Sequence, residues 1–174
     1  MVLGGCGSST GASPTGAAGD SGNSGNSGNS GTPVTVAPSL VATSCPSASA
    51  LSSASDVTWL DPNVVDPHGA VLLGCAYNSP DDTAGTLYVT VESAHGLAAS
   101  ALRTRAAHDG ATGGSDVSGL GDAAYLASVP ASGGGAPEPT LYVLVGDKLV
   151  TVANSGPPLS EVQLAGVGHL MVGS

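Results

Sequence analysis

Apolar and polar residues alternate most clearly between Thr140 and Val152. Gly146-Asp147 reads there as a two-residue turn, with Gly supplying the positive φ. That turn pairs Val143 with Val150 and Leu141 with Val152 on one face, and Leu144 with Leu149 and Tyr142 with Thr151 on the other. Both faces match in polarity, so the register is self-consistent. A second alternation runs over 70–77, with Val71, Leu73, Cys75 and Tyr77 on one side. Ser79-Pro80-Asp81-Asp82 breaks it. Residues 86–92 resume it, with Leu87, Val89 and Val91 inward and Tyr88, Thr90 and Glu92 outward. The two segments are predicted to pair as a hairpin. A further short strand is predicted over 123–128.

Three segments carry helical rather than alternating signals. Residues 47–56 are short and rich in Ala and Ser, and Pro46 suits a first helical turn. Over 97–107, Leu97/Ala101 and Ala98/Leu102 repeat at i,i+4, which leaves Arg103 and Arg105 to face water. The third helix begins at Ser160, where Ser160 and Gln163 read as a capping box and Leu159 can staple onto Leu164. Leu164, Val167 and Met171 mark its buried stripe, while Gly166 and Gly168 each weaken it by about 1 kcal/mol relative to Ala. Asp61-Pro62-Asn63 and Asp66-Pro67-His68-Gly69 are turn signals. Residues 109–116 and 130–139 read as loops. The order is helix, two strands, helix, three strands, helix. This predicts an α+β fold, an antiparallel sheet with helices packed on one face.

Composition changes the picture at the N-terminus. Residues 7–40 are Gly-, Ser- and Asn-rich with one charge, Asp20. Such a segment cannot bury enough apolar surface to offset chain entropy, so it reads as a disordered tether. Residues 41–174 are then one domain of ordinary size. It lacks Phe and has one Trp and four Tyr, so its core must be largely aliphatic. The basic side chains are Arg103, Arg105 and Lys148, against thirteen carboxylates, for a net charge of -10. That balance argues against nucleic acid and against polybasic contact with a membrane. No stretch is long and apolar enough for a transmembrane helix.

Leu3-Gly4-Gly5-Cys6 precedes a Gly/Ser tether. The order resembles a bacterial lipobox, which would make Cys6 the lipidated first residue of a mature protein and residues 1–6 the end of a truncated signal peptide. Only five residues precede Cys6 and none is basic, unlike a full signal. With Cys6 set aside, Cys45 and Cys75 remain. An even pair in an exported domain most simply forms one disulfide, two buried free thiols being the alternative.

Taken together, these features resemble a family. They are the lipobox, the tether, one Cys before a short helix and a second in the first strand. They are joined by Val117-Ser118-Gly119-Leu120-Gly121-Asp122-Ala123-Ala124-Tyr125 before the Leu-Tyr-Val hairpin. The set is similar to actinobacterial exported lipoproteins of unknown function built on a small α+β domain. More distantly, it is similar to the extracellular sensor domains of mycobacterial receptor kinases. The resemblance spans about residues 40–172 and implies the Cys45–Cys75 disulfide. It brings no catalytic residues with it.

Other motifs carry less. Gly7-Ser8-Ser9-Thr10-Gly11 matches a nucleophile elbow, but that chemistry needs a strand-to-helix turn rather than a tether. Gly19-Asp20-Ser21-Gly22 has the same defect. His68, His95, His108 and His169 share no ligand spacing and no nucleophile–base set is visible. Asp61, Asp66, Asp81 and Asp82 read as turn residues rather than a calcium loop. Gly119-Leu120-Gly121-Asp122 lacks the Lys and following helix of a phosphate loop. Trp59 is either the largest core residue or a ligand platform. Trp59 and Tyr125 are the candidate binding residues.

The expectation is a monomeric, lipid-anchored protein on the outer face of a cell membrane, without a metal or cofactor. It would bind a small apolar or cell-envelope ligand, or an envelope protein, and catalyse nothing. The alternatives are an exported hydrolase with a dispersed Ser/His/Asp site and a purely structural envelope protein.

Overall fold

The computed structural model describes residues 42–131 and 134–173. The lipidation of Cys6, the signal-peptide reading of 1–6 and the tether over 7–40 all lie outside the described residues.

Ala48–Ser55 form helix α1, whose N-cap Ser47 accepts a hydrogen bond from the Ala50 amide. Three strands follow: β1 (Asn63–Val65), β2 (Val71–Asn78) and β3 (Thr86–Ser93). Helix α2 (Ala101–His108) leads to β4 (Gly114–Val117), β5 (Ala123–Val129), β6 (Glu138–Val145), β7 (Lys148–Ser155) and helix α3 (Glu161–Val172). The capping box at Ser160 and Gln163 is present in both directions. The fold is α+β, and its seven strands form one antiparallel sheet in the order β1-β2-β3-β7-β6-β5-β4.

The β6–β7 register is the one that the alternation predicts, including Val143 with Val150 and Leu144 with Leu149. The β2–β3 hairpin also forms, with Leu87, Val89 and Val91 buried. The inward run of β2 stops short of Val71. A bulge between Val71 and Leu73 inserts Leu72 and turns Val71 to pair with Glu92 on the opposite face.

Two strands appear where turns or loops were expected. β1 lies within the Pro-flanked segment 60–69 and pairs with β2. β4 lies in the Gly/Asp/Ser segment and pairs with β5. Both are edge strands, short and largely exposed, so local propensity says little about them.

The expectation that all helices share one face is corrected. α1 and α3 cover one face, where Leu51, Leu164, Val167 and Met171 pack in a cluster with Val89, Val91, Leu141, Val143, Val150 and Val152. α2 covers the other face, where Leu102 and Ala106 cluster with Ala127, Tyr142, Leu144 and Leu149. The physical reason lies in β6. Residues 140–145 are buried on both faces, so both need a covering layer. α2 also begins later than expected, at Ala101. Residues 97–100 form turns instead, in which the Leu97 amide donates to the Ala94 carbonyl and the Ala101 amide to the Ala98 carbonyl.

The Gly-Leu-Gly-Asp motif serves this packing. Leu120 is buried in the α1–α3 core. Gly121 has φ +61, and a Cβ there would lie 2.7 Å from Val143 Cγ1, so only Gly fits. Asp122 accepts a hydrogen bond from the Gly146 amide at 2.6 Å and so clamps the β6–β7 turn. Cys45 and Cys75 form a disulfide with Cα atoms 5.7 Å apart, joining the entry of α1 to the sheet.

Candidate functional site

A cleft of about 470 Å³ opens where the start of α2 overhangs β4 and β5. The sheet register builds its floor. Asp116 pairs with Tyr125, and Tyr125 pairs with Tyr142. Partners in register point to one face, so all three project toward the face that α2 covers. Gly114 makes room for the phenol: a Cβ at that position would lie 2.7 Å from the Tyr125 ring carbon Cζ.

Arg103 descends from α2 over this floor. Its Nε donates to Asp116 Oδ1 at 3.3 Å, and its Nη2 donates to Asp116 Oδ2. The guanidinium carbon sits 5.9 Å from the centre of the Tyr125 ring, within cation–π range. The hydrogen bond that Arg103 donates to Asp116, and then the charge of that carboxylate, push the Arg103 pKa above its already high ordinary value. Ala99, Leu102 and Ala123 supply apolar walls, and Ser100 adds a hydroxyl at the rim.

A second polar group fastens the far end of α2 to the sheet. Arg105 was expected to face water. Instead its Nε donates to Asp109 Oδ2 at 3.1 Å and its Nη1 to Glu92 Oε2 at 3.2 Å. Tyr142 Oη donates to the same Asp109 oxygen at 3.0 Å. Burial resists the charge of Arg105, but Asp109 and Glu92 outweigh it and raise the pKa. Burial also raises the Tyr142 pKa, with the charge and hydrogen bond of Asp109 adding to it. This network holds α2 against the sheet, and with it the overhang that makes the cleft.

Of the two candidate binding residues, the structure places Tyr125 in the cleft. Trp59 offers no face to a ligand. It is 4 % exposed, sits in the α1–α3 core, and donates its indole N–H to Ser55 Oγ at 2.8 Å. An aliphatic core with so few rings takes its largest member inside. The four histidines are all exposed and lie in separate elements or turns. Asp81 and Asp82 lie in a tight turn that Ser79 holds by accepting from the Ala84 amide at 2.8 Å. Among the described residues no group of three or more His, Cys, Asp or Glu could hold a metal ion, and no helix is long and apolar enough to cross a membrane.

Arg103, Asp116 and Gly114 were not singled out from the sequence as site residues. Arg103 read as a solvated helix face and the other two as loop. The available signal was the cluster of two of the three basic residues on one helix, Arg103 and Arg105, in a chain otherwise acidic. No family model, curated protein or solved structure matches the chain. The functional reading therefore rests on the chemistry of the cleft itself.

Proposed function

We propose that this chain is a lipid-anchored extracytoplasmic protein that binds a small cell-envelope ligand, and that the α2–β4–β5 cleft is the binding site. The cleft carries the reading. Its volume of about 470 Å³ is in the range of small-ligand sites, and apolar walls with a few convergent polar groups are what such sites present. The anchoring part rests on the order of residues around Cys6 and on the Cys45–Cys75 disulfide, a bond that persists in oxidising compartments.

Non-reducing peptide mass spectrometry of the protein from its native membrane fraction tests the anchor. A diacylglycerol-modified peptide starting at Cys6 supports it. An unmodified peptide running through Met1 to Cys6 overturns it. Native mass spectrometry of the same preparation tests the binding site. A co-purifying small molecule that Tyr125→Ala abolishes supports the cleft, and one retained in that variant places binding elsewhere. Serine-directed probe labelling addresses catalysis, since stoichiometric modification of one Ser would make the protein a hydrolase.

A further inference from the structure

We propose that the cleft takes a cationic amphiphile, an ammonium or guanidinium head on a short apolar body, and that Arg103 occupies the head position in the unliganded chain. This deepens the binding reading above and rests on it. A carboxylate beside an aromatic face is an arrangement that attracts a cationic head. Asp116 and Tyr125 form that arrangement, and the chain fills it with its own guanidinium.

Arg103 is placed to be displaced. Its side chain is 64 % exposed and that of Asp116 65 %. An ion pair so open holds its partners weakly and is screened by salt. The arm stands at the mouth of the cleft, with water to swing into. Once it leaves, Asp116 and the Tyr125 ring face a space whose apolar walls are Ala99, Leu102 and Ala123. Those walls suit an alkyl body and add no charge.

The charge of the whole chain selects the sign of the ligand. All three Lys and Arg side chains have a carboxylate within ion-pair distance: Arg103 with Asp116, Arg105 with Glu92 and Asp109, and Lys148 with Asp147. The net charge of -10 thus leaves carboxylates in excess. The resulting field concentrates cations near the surface and repels anions. An anionic ligand would have to take Arg103 from Asp116 and then lie beside a bare carboxylate. A cationic one replaces Arg103 charge for charge.

The test is amide-resolved NMR titration of the full chain with three probes of equal length, n-hexylammonium, n-hexanoate and n-hexanol, at low and high salt. Hexylammonium is expected to shift Ser100, Val117 and Tyr125, and to bind more weakly as salt rises. Arg103→Gln removes the internal competitor and is expected to tighten binding up to about fivefold, the equivalent of the ion pair given up. Asp116→Asn is expected to weaken it about tenfold. Both positions are exposed, and matching circular dichroism spectra would verify the fold. Stronger binding of hexanoate or hexanol in the cleft, or loss of hexylammonium binding in Arg103→Gln, overturns the cationic assignment and leaves the cleft as a binding site. If no probe shifts a cleft residue, the cationic assignment falls and so does the binding reading beneath it.

Discussion

Gly166 of α3 meets the carbonyl of Ala54 in α1 so closely that a Cβ at Gly166 would overlap the Ala54 oxygen. Two residues on, a Cβ at Gly168 would lie 2.9 Å from Leu120 and 3.0 Å from Leu141. The glycines that weaken this helix in isolation are therefore what lets it lie down on α1 and the sheet.

The sign of a substitution follows. Ala in place of Gly adds about 1 kcal/mol to an exposed helix. Here Gly166→Ala must push α3 away from α1, and overpacking of this kind costs about 1–3 kcal/mol. Urea denaturation is expected to show Gly166→Ala less stable than the parent. A more stable variant would mean that the two helices are not in contact.

The disulfide closes a loop across a sequence separation of 30. In the chain-entropy model that constraint stabilises the fold by about 3.5 kcal/mol. Cys45→Ala with Cys75→Ala, or reduction of the parent, is expected to lower the denaturation midpoint accordingly. The same midpoint with and without reductant would show the bond to be absent or redundant.

Asp122 is exposed, yet its carboxylate holds the Gly146 amide at the tip of the β6–β7 turn. Asp122→Ala is expected to cost about 1 kcal/mol, and Asp122→Asn less, because an amide oxygen can still accept. Hydrogen exchange at Gly146 reports the bond directly. Exchange at the parent rate in Asp122→Ala would remove this role.

Burial pushes the Tyr77 pKa from 10.0 up to about 12, and its hydroxyl donates to the Pro46 carbonyl at 2.8 Å. A phenol that ionises later in the folded chain than in the unfolded one retains its proton in the native state. Its stabilising contribution is complete below pH 10.0 and is lost as pH rises toward about 12. Tyr142, raised in the same direction, adds to the loss. Stability measured across this window should decline, and Tyr77→Phe should flatten the decline. A parent whose stability is unchanged through that window would contradict the burial of both phenols.

The β6–β7 hairpin was legible because Gly146-Asp147 and two matched faces admit one register. The helix cap at Ser160 was legible because its two partners lie three residues apart. β1 and β4 were not legible: Asn63–Val65 sits between prolines and Gly114–Val117 has loop composition, and each becomes a strand only through its neighbour. The cleft depended on those elements. Asp116 faces Arg103 only because β4 pairs with β5 and α2 lies on the face opposite α1. The unbroken apolar run of Leu141 to Val145 did carry the signal for a two-sided cover, which a reading by alternation passes over.

The middle position of the sheet belongs to β7, between β3 and β6. It is also the last in sequence of the strands among the described residues. The β1–β2–β3 and β4–β5–β6 meanders can each form early, but no strand pairing joins them until β7 arrives. Synthesis halted after residue 147 would leave two half-sheets, with β3 and β6 presenting unsatisfied edges to each other and to any neighbour. The sheet is thus sealed only once β7 is available, and a chain cut before it exposes two edges that the complete sheet hides.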